Sequence, residues 1–325
     1  MQDKLLKVKD LKVHFQVKKG FRDAMKGKTN VLKAVDGVSF EIGEGEILSL
    51  VGESGSGKTT TGKAILRLVP VTEGSILFEG EEIMSKKDLG DFRLKAQMIY
   101  QDPYQALNPR QHISDIVGEP LDVNNLVFST EERNQAISSA LENAGLTPAS
   151  DYLYRRPYEL SGGQRQRAAI ASSLIMKPKF VVADEPVSML DASIRTGIIK
   201  LMLKERDKNG VAYLFITHDL SLAWLISDKI AIMYLGRIME LGTAEQIVKH
   251  TLHPYSKALL SIMPVPGRVL SEKRQILEGE TPNAAAVVKG CKFCGRCPVA
   301  MDICKETEPE YKEAEKGHYV YCHRY

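Results

Sequence analysis

G-E-S-G-S-G-K-T at residues 52–59 fits the pattern G-x-x-x-x-G-K-[ST] without a mismatch. An apolar run at 46–51 precedes it and is typical of a short buried strand, whereas residues 60–68 are typical of a helix. Glycines at a strand-to-helix turn allow the backbone to point several N–H groups inward, where they and the positive helix N-terminus hold phosphate oxygens. The stretch therefore predicts a phosphate-binding loop.

Two side chains of this loop have roles that an ordinary glycine turn would not require. Lys58 can reach the terminal phosphates of a nucleotide, and the Thr59 hydroxyl can ligate Mg²⁺. The residues predicted to contact ATP in this stretch are Gly52, Ser54, Gly55, Ser56, Gly57, Lys58, Thr59 and Thr60.

The composition excludes several classes of protein. A chain of 325 residues, 43% hydrophobic and 26% charged, is ordinary for a globular protein and suits one large domain with an appendage, or two domains. The net charge of +3 is small and no long Lys/Arg run occurs, so we expect no nucleic-acid or lipid partner. There is neither an uncharged apolar run of about 18 residues nor a signal-peptide pattern, which predicts a chain that spans no membrane and stays in the cytoplasm.

Strand-like and helix-like segments alternate from residue 52 onward, which is typical of an α/β fold with a mostly parallel core sheet. The two strands of a β-hairpin are predicted at 230–234 and 237–241, on either side of a turn at Leu235-Gly236. An inserted helical subdomain is predicted at about 93–165. The other predicted segments are strands at 5–15, 38–51, 180–183 and 212–217, a basic loop at 18–28 and a helix at 196–205.

Two carboxylates follow the apolar run at 180–183, in the order F-V-V-A-D-E. Asp184, at the exposed end of the predicted strand, is placed to hold Mg²⁺ through its water shell. Glu185 can polarise the water that attacks the γ-phosphate. Any strand may end in Asp-Glu, so this pair gains its meaning from its position after the phosphate-binding loop in an α/β pattern.

L-S-G-G-Q at 160–164 lies between the loop and the acidic pair, and alone it could be a helix N-terminus capped by Ser161. In this order the motifs resemble the ATP-binding subunit of ABC transporters, over about residues 5–250. The resemblance implies an N-terminal antiparallel β subdomain and two such domains that dimerise head to tail. It also implies that Ser161, Gly162, Gly163 and Gln164 complete the ATP site of the partner subunit.

Further residues take their expected roles from this resemblance. Gln101, in I-Y-Q-D-P, matches the glutamine that senses Mg²⁺ and the attacking water, and His218, in I-T-H-D, matches the histidine that contacts the γ-phosphate. S-M-L-D at 188–191 matches a loop in which the family usually has Ala where Met189 stands, so we expect altered packing there. Phe15 lies where the family places an aromatic that stacks on adenine. Each of these residues has a plain structural alternative: a surface amide, a strand-end histidine or a core aromatic.

V-L-K-A-V-D-G-V-S-F (31–40), D-E-P-V-S (184–188) and H-P-Y-S-K-A-L-L (253–260) are similar to the oligopeptide/dipeptide importer ATPases, and the insert before Val31 to the second of their two ATPase subunits. This resemblance implies an ATP-hydrolysing, energy-coupling subunit at the cytoplasmic face of the cell membrane. Its expected partners are a related ATPase subunit in a heterodimer, two transmembrane permease subunits that dock on 93–165 and, indirectly, an extracytoplasmic solute-binding protein. Oligosaccharides or nickel remain alternative cargoes.

Two other functions of a P-loop protein are considered. A non-transport ATPase of DNA repair would carry long coiled coils between the loop and L-S-G-G-Q, but only about 100 residues intervene here without sustained heptads. A ribosomal ATPase of this superfamily usually carries two ATPase domains per chain, and this chain has one. A small-molecule kinase would not require L-S-G-G-Q or His218.

All five cysteines follow residue 290, at 291, 294, 297, 304 and 322. Clustering in a cytosolic chain favours metal ligation over disulfides, and the spacing alone suits either Zn²⁺ or an iron–sulfur cluster. The importer resemblance implies that Cys291, Cys297, Cys304 and Cys322, which match four cysteines of the family, hold a [4Fe–4S] cluster. The family commonly has histidine at the position of Cys294, which is left as a spare or alternative ligand. His318 and His323 are expected to be solvated.

The chain is therefore divided by prediction into an ATPase domain, 1–250, and a cysteine-bearing extension, 251–325. Periodicity fades around His253-Pro254, and a linker with Pro264 and Pro266 is predicted to lead into the cysteines.

Overall fold

The computed structural model describes residues 4–17, 30–127, 129–263 and 289–325. The chain divides into two compact units: the first contains 1–42, 47–85 and 216–325, and the second contains 43–46 and 86–215. The basic loop predicted at 18–28 and the linker with Pro264 and Pro266 lie outside the described residues.

The described strands, in chain order, are β1 (Leu6–Val17), β2 (Asn30–Ile42), β3 (Ile47–Val51), β4 (Glu73–Phe78), β5 (Glu81–Glu82), β6 (Ala96–Ile99), β7 (Phe180–Asp184), β8 (Ala212–Thr217), β9 (Lys229–Tyr234), β10 (Arg237–Thr243), β11 (Tyr311–Glu315) and β12 (His318–Tyr321). The described α-helices are α1 (Lys58–Ile65), α2 (Gly90–Lys95), α3 (Pro103–Ala106), α4 (Ile113–Val123), α5 (Thr130–Asn143), α6 (Gly162–Leu174), α7 (Ala192–Asn209), α8 (Leu220–Ile226), α9 (Ala244–Lys249), α10 (Pro254–Ser261) and α11 (Ile303–Glu306).

The first unit contains an antiparallel sheet in the order β2-β1-β4-β5. In β1, Leu6 and Val8 are buried, and so are Leu11 and Val13 after a register shift between Val8 and Leu11, because alternate side chains on either side of the shift point to one face of the sheet. The single strand predicted over 38–51 is wrong. Between β2 and β3 the chain turns at 43–46, where Gly45 has a φ of 63°.

The same unit contains strands in the order β11-β12-β10-β9-β3. Strand β3 is buried at every residue and lies parallel to β9. The hairpin predicted from Leu235-Gly236 is confirmed: β9 and β10 are antiparallel, and both turn residues have a positive φ, 43° and 81°. This pairing brings the hairpin turn to the end of β3 from which the phosphate-binding loop departs.

The C-terminal residues of the chain extend this group of strands, since β12 pairs with β10 in the register Glu240↔Val320. His318 is completely buried and its Nε2 lies 2.8 Å from a carboxylate oxygen of Glu240, so the expectation that it is solvated is wrong. His323 is partly exposed, with Nε2 2.9 Å from the carbonyl oxygen of Thr307. A strand pairing that spans almost eighty residues of sequence leaves no local pattern from which the burial of His318 could be predicted.

A helix begins where the sequence periodicity fades. The ring Nδ1 of His253 accepts a hydrogen bond of 3.0 Å from the backbone N–H of Tyr255, and Pro254 occupies the first helical position. Proline suits this position because the N–H that it lacks would have no partner within the helix. Pro254 therefore starts helix α10 instead of ending regular structure.

The second unit contains strands in the order β8-β7-β6, of which β6 and β7 are parallel. The strands predicted at 180–183 and 212–217 are confirmed, and the helix predicted at 196–205 lies within α7. Helices α4, α5 and α6 pack on one another through buried apolar residues such as Val117, Ile137 and Ile170. Among the described ranges of the chain, no helix combines the length and hydropathy that crossing a membrane requires.

Candidate ATP-binding and hydrolysis site

The phosphate-binding loop connects β3 to α1 and depends on glycine at two positions. Gly57 precedes α1 with a φ of 104°, and a Cβ atom there would collide with the carbonyl of Ala34. A Cβ atom on Gly52 would likewise collide with the carbonyl of Met233. Only a residue without a side chain fits either position, which explains how the loop can curl tightly against β2 and β9.

The ammonium group of Lys58 lies inside this curl. Lys58 is 6% exposed, and its Nζ donates hydrogen bonds to the carbonyl oxygens of Gly52 at 2.8 Å and Glu53 at 2.9 Å. The Ser56 Oγ is buried and has no hydrogen-bond partner among the described residues. A buried hydroxyl beside an ammonium and a helix N-terminus suits a ligand that carries anionic oxygens.

The remaining loop residues are more accessible. Ser54 and Gly55 are exposed, and a Cβ atom on Gly55 would meet nothing within 4 Å. Thr59 and Thr60 are partly buried in the first turn of α1. The hydroxyl of Thr59 is therefore placed where a phosphate-bound Mg²⁺ could be ligated.

In the second unit, the parallel register of β6 and β7 brings two of the expected catalytic residues together. Ile99 pairs with Ala183, and Gln101 and Glu185 each follow two residues later. The Nε2 of Gln101 donates a hydrogen bond of 3.3 Å to Oε2 of Glu185. The amide and the carboxylate thus share one sheet edge, at the carboxyl ends of the strands, where α/β proteins usually bind ligands.

The backbone at Glu185 is unusual. Glu185 precedes Pro186 and has a φ of 44°, in the left-handed region that non-glycine residues rarely adopt. Its carbonyl oxygen accepts hydrogen bonds from the N–H and the Oγ of Ser188, at 3.2 and 3.1 Å. Asp184 before it is 4% exposed, while the unusual residue Met189 is 65% exposed. Rare backbone conformations of this kind cluster at functional sites.

The L-S-G-G-Q segment forms the N-terminus of helix α6 in the second unit. Ser161 Oγ accepts a hydrogen bond of 3.3 Å from the N–H of Gln164, and Gln164 Oε1 accepts one of 2.9 Å from the N–H of Ser161. Gly163 packs against Ile194, whereas Ser161 and Gly162 are exposed. The capping box leaves the positive end of a 13-residue helix accessible.

Phe15 and His218 both lie in the first unit. Phe15 is half-buried in β1 and pairs with Leu32 of β2. Leu32 lies two residues before Ala34, whose carbonyl contacts the phosphate-binding loop. His218 is exposed at the end of β8, next to Asp219, which caps α8 by accepting a hydrogen bond of 3.1 Å from the N–H of Leu222. The described contacts assign neither residue to a bound nucleotide.

The five cysteines line one cavity of the first unit, with apolar neighbours that include Phe293, Val299 and Pro309. A backbone hydrogen bond of 2.8 Å, from the N–H of Cys291 to the carbonyl oxygen of Cys304, holds the segments that contain these two cysteines together. Burial raises the pKa of Cys291 to about 12. It also raises the pKa values of Cys294, Cys297 and Cys322. These thiols stay protonated at neutral pH unless a cation replaces their protons.

The residues around this cavity include the donors that the expected metal group would require. Within 4–17, 30–127, 129–263 and 289–325, no three or more His, Cys, Asp or Glu residues form a group that could hold a metal ion. An iron–sulfur cluster takes four thiolates around a body larger than one ion. The residues fit the cluster in donor type, since cysteine supplies thiolates, and all five cysteines line this cavity.

An acidic residue that was not predicted from sequence, Asp36, lies in the middle of β2. The Asp36 carboxylate is almost fully buried, 2.8 Å from Lys292 Nζ, 3.1 Å from His14 Nε2 and 3.8 Å from an Arg237 nitrogen. Burial opposes its ionisation, but the hydrogen bond from Lys292 and the charges of Lys292, Arg237 and Lys33 lower the pKa of Asp36 to about 2. The sequence does contain a sign of this buried charge, because Asp36 is a single acidic residue within the apolar run around Val35 and Val38.

Two family models match this chain, one over the ATP-site motifs and the other over the C-terminal part. The family model described as ABC transporter matches residues 35–188, and the model described as oligopeptide/dipeptide transporter, C-terminal region, matches residues 239–304. The oligopeptide transport ATP-binding protein AppF of Bacillus subtilis is 44% identical over 100% of this chain and 98% of its own length. The protein OppF of the same organism is 42% identical over 99% and 97%.

Solved structures of ATP-binding proteins are similar to most of this chain. A dimeric, post-hydrolysis ATP-binding cassette, MJ0796 bound to ADP and phosphate, is 27% identical with a TM-score of 0.65, covering 74% of this chain and 98% of the other. CbiO1 of Clostridium perfringens, part of the ABC transporter complex cbiONQ, is 26% identical with a TM-score of 0.63, covering 77% and 92%. The chain belongs to the ABC transporter family, as one of its ATP-hydrolysing subunits.

Proposed function

We propose that this chain couples ATP hydrolysis to the import of oligopeptides or dipeptides. The observation that carries the proposal is the full-length similarity to oligopeptide transport ATP-binding proteins, at 42–44% identity, together with the match of residues 239–304 to the oligopeptide/dipeptide C-terminal region. The similarity covers the cysteine tail as well as the ATPase segment, so it favours this branch over a general ABC ATPase. Oligosaccharides and nickel are the alternative cargoes.

The proposed mechanism begins with phosphate binding in the loop at 52–59. Lys58 donates to the terminal phosphates while the carbonyl oxygens of Gly52 and Glu53 hold its ammonium in the loop, and the loop N–H groups with the buried Ser56 hydroxyl donate to the same phosphate oxygens. Thr59 and, through water, Asp184 would hold Mg²⁺, which would supply positive charge to neutralise the phosphates. Phe15 stacks on adenine. These interactions bind the nucleotide but do not activate water.

Water activation is assigned to Glu185. Its carboxylate accepts a proton from the water that attacks the γ-phosphate, and Gln101 orients that water and senses Mg²⁺. His218 contacts the γ-phosphate. The left-handed backbone of Glu185, held through Ser188, fixes the direction of the carboxylate before ATP arrives. The released ADP and phosphate then allow the closed state to reopen, and this motion is the part of the cycle that drives transport.

One chain supplies only part of the proposed site. The exposed helix N-terminus at Ser161 and Gly162, with Gly163 and Gln164, is assigned to the ATP of a partner subunit that docks head to tail. The natural partner is a second, related ATPase subunit. Two transmembrane permease subunits receive the motion through the helical residues near 93–165, a solute-binding protein outside the membrane delivers cargo, and the chain works peripherally at the cytoplasmic face.

The tail is assigned a [4Fe–4S] cluster with Cys291, Cys297, Cys304 and Cys322 as ligands. The support is that all four line one cavity whose other lining residues include Phe293, Val299 and Pro309. Cys294 lines the same cavity and is the spare thiol. The cluster would supply cross-links between the cysteine segments, so its role is structural. The division into an ATPase domain, 1–250, and an extension, 251–325, belongs to this proposal.

The test is transport by the complete importer. The chain, its related ATPase subunit and the permeases are reconstituted in liposomes with the solute-binding protein, and uptake of a labelled pentapeptide is measured. We expect ATP-dependent uptake that is lost with Glu185→Gln and kept with Asp207→Asn, a change of an exposed carboxylate in the same unit that lies outside 93–165. ATP-dependent uptake of an oligosaccharide or nickel without peptide uptake would contradict the peptide assignment.

A further inference from the structure

Glu53, the second residue of the phosphate-binding loop, is held from two directions. Its carbonyl oxygen accepts a hydrogen bond from Lys58 Nζ at 2.9 Å, so its peptide group faces the ammonium that is assigned to phosphate binding. Its N–H donates to the hydroxyl of Tyr255 at 3.2 Å. The orientation of this one residue therefore fixes an anchor of Lys58.

The Glu53 side chain leads to the cysteine tail. Arg296 lies between Cys294 and Cys297, and its Nη1 is 3.1 and 3.0 Å from the two carboxylate oxygens of Glu53. The two side chains are 10% and 26% exposed, and the guanidinium also lies 5.8 Å from the centre of the Tyr234 ring. A partly buried charge pair restricts both groups more than a solvated one does.

The segment that carries Arg296 is itself fixed on the first unit. Phe293 is completely buried, with ring centres 5.4 Å from Tyr234, 5.3 Å from Tyr255 and 5.6 Å from His253. Edge-to-face and tilted aromatic pairs of this spacing stabilise beyond their burial alone. Arg296 is therefore presented to Glu53 from a packed base.

The hairpin turn between β9 and β10 holds the other end of the loop and contacts the same tail segment. The N–H of Gly236 donates to the carbonyl of Ser56 at 2.8 Å. Lys292 Nζ donates to the carbonyl of Leu235 at 3.0 Å and to Asp36 at 2.8 Å. Residues 292–296 thus contact the loop directly at Glu53 and, through the hairpin turn, at Ser56.

We propose that Arg296 is a positioning residue of the ATP site: by holding the Glu53 carboxylate, it keeps the Glu53 carbonyl and Lys58 in the geometry that binds phosphate. The inference rests on the proposed role of 52–59 as the ATP loop. Under this proposal the cysteine tail influences nucleotide affinity, although Arg296 is 243 residues away from Glu53 in sequence. Arg296 acts through Glu53 and Lys58, so we expect it to change binding more than chemistry.

The test is a double-mutant cycle on the full-length chain with trinitrophenyl-ATP as the fluorescent probe. We expect Arg296→Gln and Glu53→Gln each to raise the Kd about five- to tenfold, and the double variant to bind no more weakly than either one, because both changes remove the same contact. Turnover at saturating ATP should stay within about twofold, so the effect appears in KM and not in kcat. Arg296→Lys should recover part of the affinity, since it keeps the charge but not the two-oxygen contact.

Lys305→Gln is the matched control, because Lys305 forms an exposed ion pair with Asp302 in the same tail. It should leave the Kd unchanged. Two outcomes would show that Arg296 has no positioning role. In one, both single variants fold and bind the probe with the Kd of the unmodified chain. In the other, the increases in Kd of the two single changes multiply in the double variant. If Arg296→Gln does not fold, Glu53→Gln tests the contact from the loop side. Failure of the unmodified chain to bind the probe would instead overturn the proposed ATP loop, and this inference with it.

Discussion

The phosphate-binding loop and the cysteine tail are both motifs of fixed spacing in the first unit, yet they are built differently. The loop at 52–59 takes its shape from consecutive residues, with glycines at the turn and a strand and a helix on either side. The tail at 291–325 takes its shape from distant partners: β12 pairs with β10, and Phe293 packs on Tyr234 and Tyr255. A motif made of neighbours reveals its geometry in sequence, whereas a motif made across the fold reveals only its residue types.

The largest effect that separates the two regions is expected in the loop. Lys58→Ala should raise the Kd for ATP on the order of 100-fold, because it removes a buried charge aimed at the phosphates. Lys63→Ala, in the last turn of the same helix, is the control and should bind normally. Isothermal titration measures both, and an unchanged Kd for Lys58→Ala would contradict the assignment of the loop.

The tail should respond through metal content. Protein purified without oxygen is expected to be brown, with absorbance near 400 nm and about four irons per chain. Cys304→Ser should lose iron, because Cys304 is a buried member of the proposed ligand set, whereas Cys294→Ser, the matched control, should largely keep it. Elemental analysis with hydrogen exchange over 291–304 gives the measurement. One zinc per chain and no iron would disprove the cluster while keeping a metal site.

The connection between tail and core should appear in stability. Asp36 has a pKa of about 2 in the folded chain against an ordinary 3.8, so its contribution of about 2 kcal/mol is complete above pH 4 and lost as the pH falls through about 2. Asp36→Asn should therefore lower the free energy of unfolding at pH 7 by about that amount, and the difference from the unmodified chain should shrink between pH 4 and pH 2.

The measurement is urea unfolding at several pH values. Asp302→Asn is the control, since its side chain is fully exposed and the change should leave the free energy of unfolding nearly unaltered. An equal effect of the two changes at pH 7 would show that the contacts of Asp36 with Lys292 and Arg237 do not stabilise the fold.

The predictions made from sequence succeeded where short-range rules decide. Strands β7 and β8 are uninterrupted apolar runs, and the hairpin at Leu235-Gly236 follows from the positive φ that its turn requires. The strand predicted over 38–51 was wrong because an apolar pattern on both sides concealed the left-handed turn at Gly45. Helix α10 was missed because the periodicity fades around His253-Pro254, although Pro254 suits a first helical position.

What sequence reasoning missed at the site depends on contacts between distant residues. The contact of Arg296 with Glu53 joins residues 243 apart, and His318 meets Glu240 across 78. No periodicity or spacing rule links such pairs. The meeting of Gln101 with Glu185 has the same long separation, but the parallel order of two strand ends could have suggested it.

The most direct test of this account is ATP turnover by Glu185→Gln. The amide keeps the shape of the side chain but cannot accept a proton from the attacking water, so kcat should fall roughly 10²–10⁴-fold while the Kd for ATP stays within about threefold. Steady-state phosphate release and nucleotide titration on the same preparation give both values. Turnover close to that of the unmodified chain, with ATP bound normally, would contradict the assignment of Glu185 as the catalytic base.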